Sequence, residues 1–109
     1  MDPQMKKGVL DALVLAMLKD GDTYGYELSE RVAGIVDVAQ TALYPVLRRL
    51  EALGMLETYS VEHNGRLRRY YRITKKGHEK WRENVGELTE LQKIIDTIMK
   101  GVKEHGGRT

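Results

Sequence analysis

The side chains with most chemistry to offer are arginines, and they crowd into one segment. Between Gln40 and Arg82 stand ten bases, among them Arg48, Arg49, Arg66, Arg68, Arg69 and Arg72, against only Glu51, Glu57, Glu62 and Glu79. That segment carries a surplus of six positive charges within a chain of formal net charge +2, so the remainder carries a net −4. A basic segment inside an otherwise acidic chain suits a polyanion as ligand.

Little else in the sequence suggests reactivity. There is no cysteine, which excludes disulfides, thiolate nucleophiles and cysteine-based zinc sites, and suits a reducing cytoplasm. His63, His78 and His105 are far apart and lack the i, i+4 partners of a helical metal site. No phosphate loop, nucleophile elbow or Ser/His/Asp set stands out, and the glutamates fall on helix surfaces. The expectation is a protein that is not an enzyme and holds no cofactor or metal.

At 109 residues, with 41% hydrophobic and 31% charged residues, the chain has room for one domain and one extra element. A core of that size is thin, covering somewhat over ~60% of the unfolded surface. The apolar run from Val9 to Leu18 is interrupted by Asp11 and followed by Lys19-Asp20-Gly21, unlike a cleaved leader. No run approaches the ~20 apolar residues of a membrane span. The expected location is the cytoplasm.

The elements that must position the bases follow from periodicity. Leu10, Leu13, Val14, Met17 and Leu18 repeat at i, i+3, i+4, i+7 and i+8, the core stripe of a first helix. Gly21 ends it. Asp22 or Thr23 is then the expected cap of a second helix, with Leu28, Val32 and Ile35 as its inner face.

A third helix starts near Thr41. At ~100° per residue, Leu43, Val46, Leu47, Leu50 and Leu53 cluster on one side, and Thr41, Tyr44, Pro45, Arg48 and Ala52 on the other. Gly54 stands where a terminating glycine belongs. Pro45 then falls near the end of the first turn, at the cost of a ladder bond or a modest kink, with its ring outward.

Beyond Gly54 the period changes. Leu56–Val61 and Leu67–Ile73 are rich in β-branched and aromatic residues and flank Asn64-Gly65, a strong hairpin signal. Three helices followed by a basic hairpin form a helix-turn-helix with a wing. Thr74 caps a last helix running to about Lys103, whose apolar residues Trp81, Val85, Leu88, Leu91, Ile95, Ile98 and Val102 settle into a 3, 4, 3, 4 spacing from Leu88. Such a rod, roughly 45 Å long, exceeds what so small a domain can cover. A partner helix must cover the rest, most simply from a second copy. The expected fold is therefore mainly α with a small β-hairpin. It divides into a winged helix-turn-helix over residues 1–73 and a C-terminal dimerisation helix with a short tail over residues 74–109.

The matching pieces are Tyr24-Gly25-Tyr26-Glu27-Leu28, Leu43-Tyr44-Pro45-Val46-Leu47-Arg48-Arg49-Leu50-Glu51, Gly54, and Arg68-Arg69-Tyr70-Tyr71-Arg72-Ile73-Thr74 with Gly77. In this order and spacing, the chain resembles the PadR-like winged-helix transcriptional regulators over nearly its whole length. The resemblance implies a homodimeric DNA-binding repressor of a neighbouring operon, of the compact subgroup with a single dimerisation helix. Some members of that subgroup bind flat aromatic compounds between the dimer helices through a tryptophan deep in the last helix. By helix register that position is Leu88 here, and Trp81 lies two turns earlier. These two are the candidates for lining a site for a small aromatic effector.

In that frame the third helix enters the major groove of double-stranded DNA by its Thr41/Tyr44/Pro45/Arg48 face. Arg48 would bond guanine or phosphate, Thr41 and Tyr44 phosphate or a base, Pro45 a thymine methyl, and Gln40 adenine. Arg66, Arg68 and Arg69, all exposed near the hairpin tip, would meet phosphate or the minor groove. Tyr24 and Tyr26 open the second helix beside its free N–H groups, and Lys6 and Lys7 reach phosphate from the first. Tyr71 shares its strand face with Ile73 and belongs to the core. The competing readings are a winged helix that docks an acidic protein through its wing, and a dimer that carries a small molecule without specific DNA binding.

Overall fold

The computed structural model describes residues 2–101. In chain order it contains α1 (Pro3–Lys19), β1 (Thr23–Tyr24), α2 (Gly25–Ala33), a 3-10 turn (Gln40–Ala42), α3 (Leu43–Ala52), β2 (Leu56–His63), β3 (Arg66–Ile73) and α4 (Lys75–Lys100). The three strands form an antiparallel sheet in the order β1-β3-β2. This is the mainly α architecture with a small hairpin that periodicity predicts, with one short strand added.

The core lies where α1, α2 and α3 meet the base of the hairpin. Leu10, Val14, Leu15, Leu18, Leu28, Val32, Leu43, Leu47, Leu50 and Leu56 are buried there, with Tyr71 closing it from the sheet. Apolar contact is non-directional, and the one strong directional tie of α3 is ionic. Arg49 donates from Nη1 and Nη2 to both carboxylate oxygens of Asp11 on α1, at 3.0 and 2.5 Å. That bond raises the Arg49 pKa further above its ordinary value and keeps the fork charged.

The helix limits differ from expectation at three points. Chain entry into α2 is governed by the sheet: Thr23 and Tyr24 pair with Tyr71 and Tyr70. The helix therefore starts at Gly25, Tyr24 occupies the N-cap position, and neither Asp22 nor Thr23 caps it. Asp22 is instead recruited by Arg72 and Tyr59, and the Thr23 hydroxyl bonds Glu27. At the other end α2 stops at Ala33, so Ile35 leaves the expected inner face and stands 64% exposed. Leu53 likewise lies beyond the last turn of α3 as its C-cap and is 45% exposed, outside the seam.

Pro45 disturbs nothing. With the 3-10 turn preceding it, α3 begins at Leu43 and Pro45 is its third residue, where a backbone N–H would lack an intrahelical acceptor anyway. Gly54 has φ +78°, the left-handed residue that ends α3. At the hairpin tip Asn64 and Gly65 have φ +52° and +80° between the paired residues His63 and Arg66, the two-residue turn with both φ values positive.

Two corners of the chain are tied together beneath the wing. Thr74 accepts from the Gly77 N–H at 3.1 Å, capping α4, and donates from Oγ1 to the Gly54 carbonyl at 2.6 Å. Its own N–H bonds the Met55 carbonyl at 3.1 Å. A Cβ on Gly77 would overlap that carbonyl oxygen and lie 2.7 Å from Ile73 Cγ1, so only glycine lets α4 start so close to β2.

From there α4 packs its first turns against the core, with Trp81 half-buried and Lys19 Nζ 4.8 Å from its ring centroid. Leu88 and Leu91 still border α1 across a hollow lined by Met5, Gly8 and Val9, and beyond them the helix runs clear of the rest. Val85, Leu88, Leu91, Ile94, Ile95, Ile98 and Met99 are all exposed. The helix is described to Lys100 with Gly101 at its C-cap; Val102, His105 and the expected end at about Lys103 lie outside the described residues.

Candidate nucleic-acid interface

One cleft gathers residues from β1, α2, α3 and β3. It measures about 360 Å³ and lies between the start of α2, the outer face of α3 and the middle of β3. Tyr24, Gly25 and Tyr26 form one wall, Tyr44 and Arg48 the second, and Arg68, Arg69 and Tyr71 the third. Gly25 is wedged between rings: a Cβ there would meet Tyr71 Cε1 at 3.5 Å and Tyr44 Cε1 at 3.7 Å. The pairing of β1 with β3 is what brings the α2 N-terminus, with its unbonded backbone N–H groups, beside the wing.

The arginines of α3 and the hairpin sort into two sets. Arg49 and Arg72 are ion-paired, to Asp11 and to Asp22 with Glu57. Arg48, Arg66, Arg68 and Arg69 have no acidic partner among the described residues. Three of these four line the cleft. Arg66 lines the adjoining hollow of about 610 Å³ toward the hairpin tip, with His63, Asn64 and Leu67. Unpaired cations that converge on one concave surface leave their charge free for an anion.

An aromatic ladder stiffens the outer face of the sheet. The Tyr24 and Tyr70 ring centroids are 5.6 Å apart, tilted, and Tyr70 stacks on Tyr59 at the same distance. The guanidinium carbon of Arg68 lies 4.3 Å over Tyr24 and that of Arg72 4.6 Å over Tyr59. Arg68 is thus half-buried, not freely exposed as its place near the tip suggested. The Tyr59 hydroxyl donates to Asp22 at 2.7 Å, which raises the phenol pKa above its ordinary value. Tyr26, exposed, donates to Glu30 at 3.2 Å with the same consequence.

The expected site residues are not all brought together. Tyr24, Tyr44, Arg48, Arg68 and Arg69 share the cleft; Pro45 is exposed on α3 beside it, and Gln40 and Thr41 are exposed in the turn that precedes α3. Lys7 lies elsewhere, lining a separate hollow with Asp11, Arg49 and Lys80. Leu67 went unnoticed in the sequence: it is 75% exposed at the tip, between Arg66 and Arg68. Strand alternation, which places it on the Tyr71 side, was the available signal. Among the described residues no group of His, Asp or Glu could hold a metal ion, and no helix is long and apolar enough to cross a membrane.

Residues 14–83 match the transcriptional regulator PadR-like family. A crystal structure of a Streptococcus mutans protein is similar at 35% identity and a TM-score of 0.82, over 87% of this chain and 90% of that one. A PadR-like transcriptional regulator of Bacillus cereus is similar at 29% identity and a TM-score of 0.81, over 91% of this chain and 99% of that one. An uncharacterized protein of Lysinibacillus sphaericus is 34% identical across 89% of this chain and 94% of its own length. The matched family and the Bacillus cereus protein are described as transcriptional regulators. With its winged helix, its basic cleft and the family match across most of its length, this chain belongs to the PadR-like transcriptional regulators.

Proposed function

We propose that the protein is a homodimeric repressor of a neighbouring operon, reading double-stranded operator DNA with α3 and holding it with the wing. Tyr44, Pro45 and Arg48 enter the major groove, with Thr41 and Gln40 at the leading end of the helix. Arg66, Arg68 and Arg69 contact phosphates or the minor groove, and Tyr24 and Tyr26 present the α2 N-terminus to a backbone phosphate. The observation that carries this reading is the convergence of Arg48, Arg68 and Arg69, all without acidic partners among the described residues, on one cleft.

Dimerisation is supported by the uncovered stripe of α4 and by the groove beside it. Val9, Ala12, Leu13 and Ala16 of α1 and Trp81, Val85 and Leu88 of α4 line an almost wholly apolar hollow of about 330 Å³. A second copy that laid its α4 along this groove would cover both, and would set the two reading helices about one duplex turn, ~34 Å, apart. The same groove supports a site for a flat aromatic effector beside Trp81 and Leu88. The repressor role follows from the family resemblance, and the cytoplasmic location from a cysteine-free composition that suits a reducing compartment.

The decisive measurement is titration of labelled duplexes from the protein's own genome at several salt concentrations. Specific binding with a steep salt slope is expected, and Arg48→Ala should weaken it by ~1–3 kcal/mol. No sequence-selective binding at ~50 mM salt would favour a protein-docking or ligand-carrying role instead. Quenching of Trp81 fluorescence by planar aromatic compounds tests the effector site, and a flat response across a broad panel argues against it.

A further inference from the structure

We infer that Asp11 and Arg49 are the positioning residues of the reading helix: their ion pair fixes the rotation of α3 about its axis and so aims Arg48, without either residue touching DNA. The inference rests on the proposed role of α3 in reading DNA. In sequence Arg48 and Arg49 are equivalent neighbours; in the structure they are opposites. Arg48 is exposed on the cleft, while Arg49, about 100° further round the helix, turns to α1 and is held there by two bonds. The Arg49 and Asp11 side chains are only 32% and 18% exposed.

The apolar seam of α3 decides which face turns inward, but burial itself is non-directional and a hydrogen-bonded fork sharpens the angle. The other side-chain polar tie of α3 among the described residues is the Thr58 hydroxyl to Glu51, a long 3.4 Å bond. A two-bond fork to a carboxylate has a defined plane and direction. Side chains reach ~5–6 Å from a helix axis, so a rotation of about 10° displaces the Arg48 head by about 1 Å. That exceeds the width of a good hydrogen-bond range.

Asp11 also ties α3 to the other end of the molecule. Val9, Ala12, Leu13 and Ala16 lie on average about 150° round α1 from Asp11 and line the groove beside α4. One helix therefore presents the groove on one face and the tie to α3 on the other. Lys7 and Lys80 line the same hollow as Asp11 and Arg49, yet neither lies within ion-pair distance of Asp11.

The test begins with a duplex that the unaltered protein selects from a randomised pool, and a shuffled duplex of the same length. Asp11→Asn, Arg49→Gln and Arg49→Lys should each raise Kd for the selected duplex about tenfold, the scale of one lost base contact. Affinity for the shuffled duplex should stay within about twofold. The Asp11→Asn/Arg49→Gln double variant should lose no more than the worse single variant, the mark of one shared interaction. A direct phosphate contact by Arg49 would act differently: Arg49→Gln would lower the salt slope on the shuffled duplex by about 0.9, and Asp11→Asn would free a cation and tighten binding. Either result, or an unchanged ratio between the two duplexes, overturns the inference. If Asp11→Asn melts below the assay temperature, Arg49→Lys, which keeps the charge and loses the fork, carries the same expectation. Failure of the unaltered protein to select any duplex would sink the functional proposal itself; selection with unaffected variants would sink only this one.

Discussion

In α3, Leu43, Val46, Leu47 and Leu50 are each 7% exposed or less, whereas in α4 Val85, Leu88, Leu91 and Ile95 stand 41–45% exposed. Both helices carry a regular apolar stripe. Around α3, α1 and the base of β2 close over the stripe within the same chain. α4 packs on the core with its first turns, borders α1 across apolar hollows as far as Leu91, and then projects, giving a molecule 69 Å long and 28 × 20 Å across. Fully burying such a side chain is worth ~1.5–3 kcal/mol, and covering the two-fifths still exposed on each is worth roughly 1 kcal/mol, so the stripe on α4 holds a driving force that its own chain leaves unused. An amphipathic pattern thus specifies that a face will be covered, but not by what.

The sharpest way to break this contrast is to charge the uncovered stripe. Leu91→Lys with Ile95→Lys removes four apolar burials from a dimer and should weaken self-association at least ~1,000-fold, roughly 4 kcal/mol. Sedimentation would show a monomer, and circular dichroism an intact winged helix. A dimer of unchanged strength would place the interface elsewhere. The same pair of substitutions at Leu47 and Leu50 should instead abolish folding.

A smaller effect is expected where the two regions join. Gly77→Ala forces a methyl group against the Met55 carbonyl and Ile73, and should cost about 2–3 kcal/mol, read as a lower midpoint in thermal melts. Thr74→Ala removes the α4 cap and the bond to the Gly54 carbonyl. It should cost about 1 kcal/mol, and a melt indistinguishable from the unaltered protein would show that packing alone seats α4.

The smallest effect is confined to alkaline pH. Tyr59 donates to Asp22, so its folded-state pKa lies above the ordinary 10.0. This contribution is fully present below pH ~10 and is lost as pH rises through the raised value. Ultraviolet titration should show Tyr59 ionising late, and Asp22→Asn should bring it back toward the ordinary value. Coincident titration curves for the two proteins would mean the bond is not kept in solution.

Much of the scaffold is legible in the sequence, because its signals are local. Asn64-Gly65 dictates a tight hairpin, Thr74 offers an oxygen to the N–H three residues on, and Gly54 accepts the left-handed turn that ends α3. The misreadings share a different cause. A strand of two residues, Thr23–Tyr24, has no period to detect, so Asp22 and Thr23 passed for helix caps. Ile35 and Leu53 continue an apolar rhythm past the last turn of their helices, where the chain has already changed direction. Arg68 sits on a tyrosine from a distant element, and nothing near it in sequence announces that ring.

What the sequence determined by itself was the inventory: four helices and a basic hairpin, a leucine seam, a second apolar stripe too long to be covered alone, and the order of motifs that marks the family. Those properties depend on neighbours within a turn or two, where backbone geometry leaves few choices. Tertiary structure decided which arginines remain free. Arg48 and Arg49 are adjacent and chemically alike, yet only contact with Asp11, 38 residues earlier, makes one a strut and leaves the other facing the cleft. An ion pair forms through space, and no local rule says which charges the fold will bring within reach.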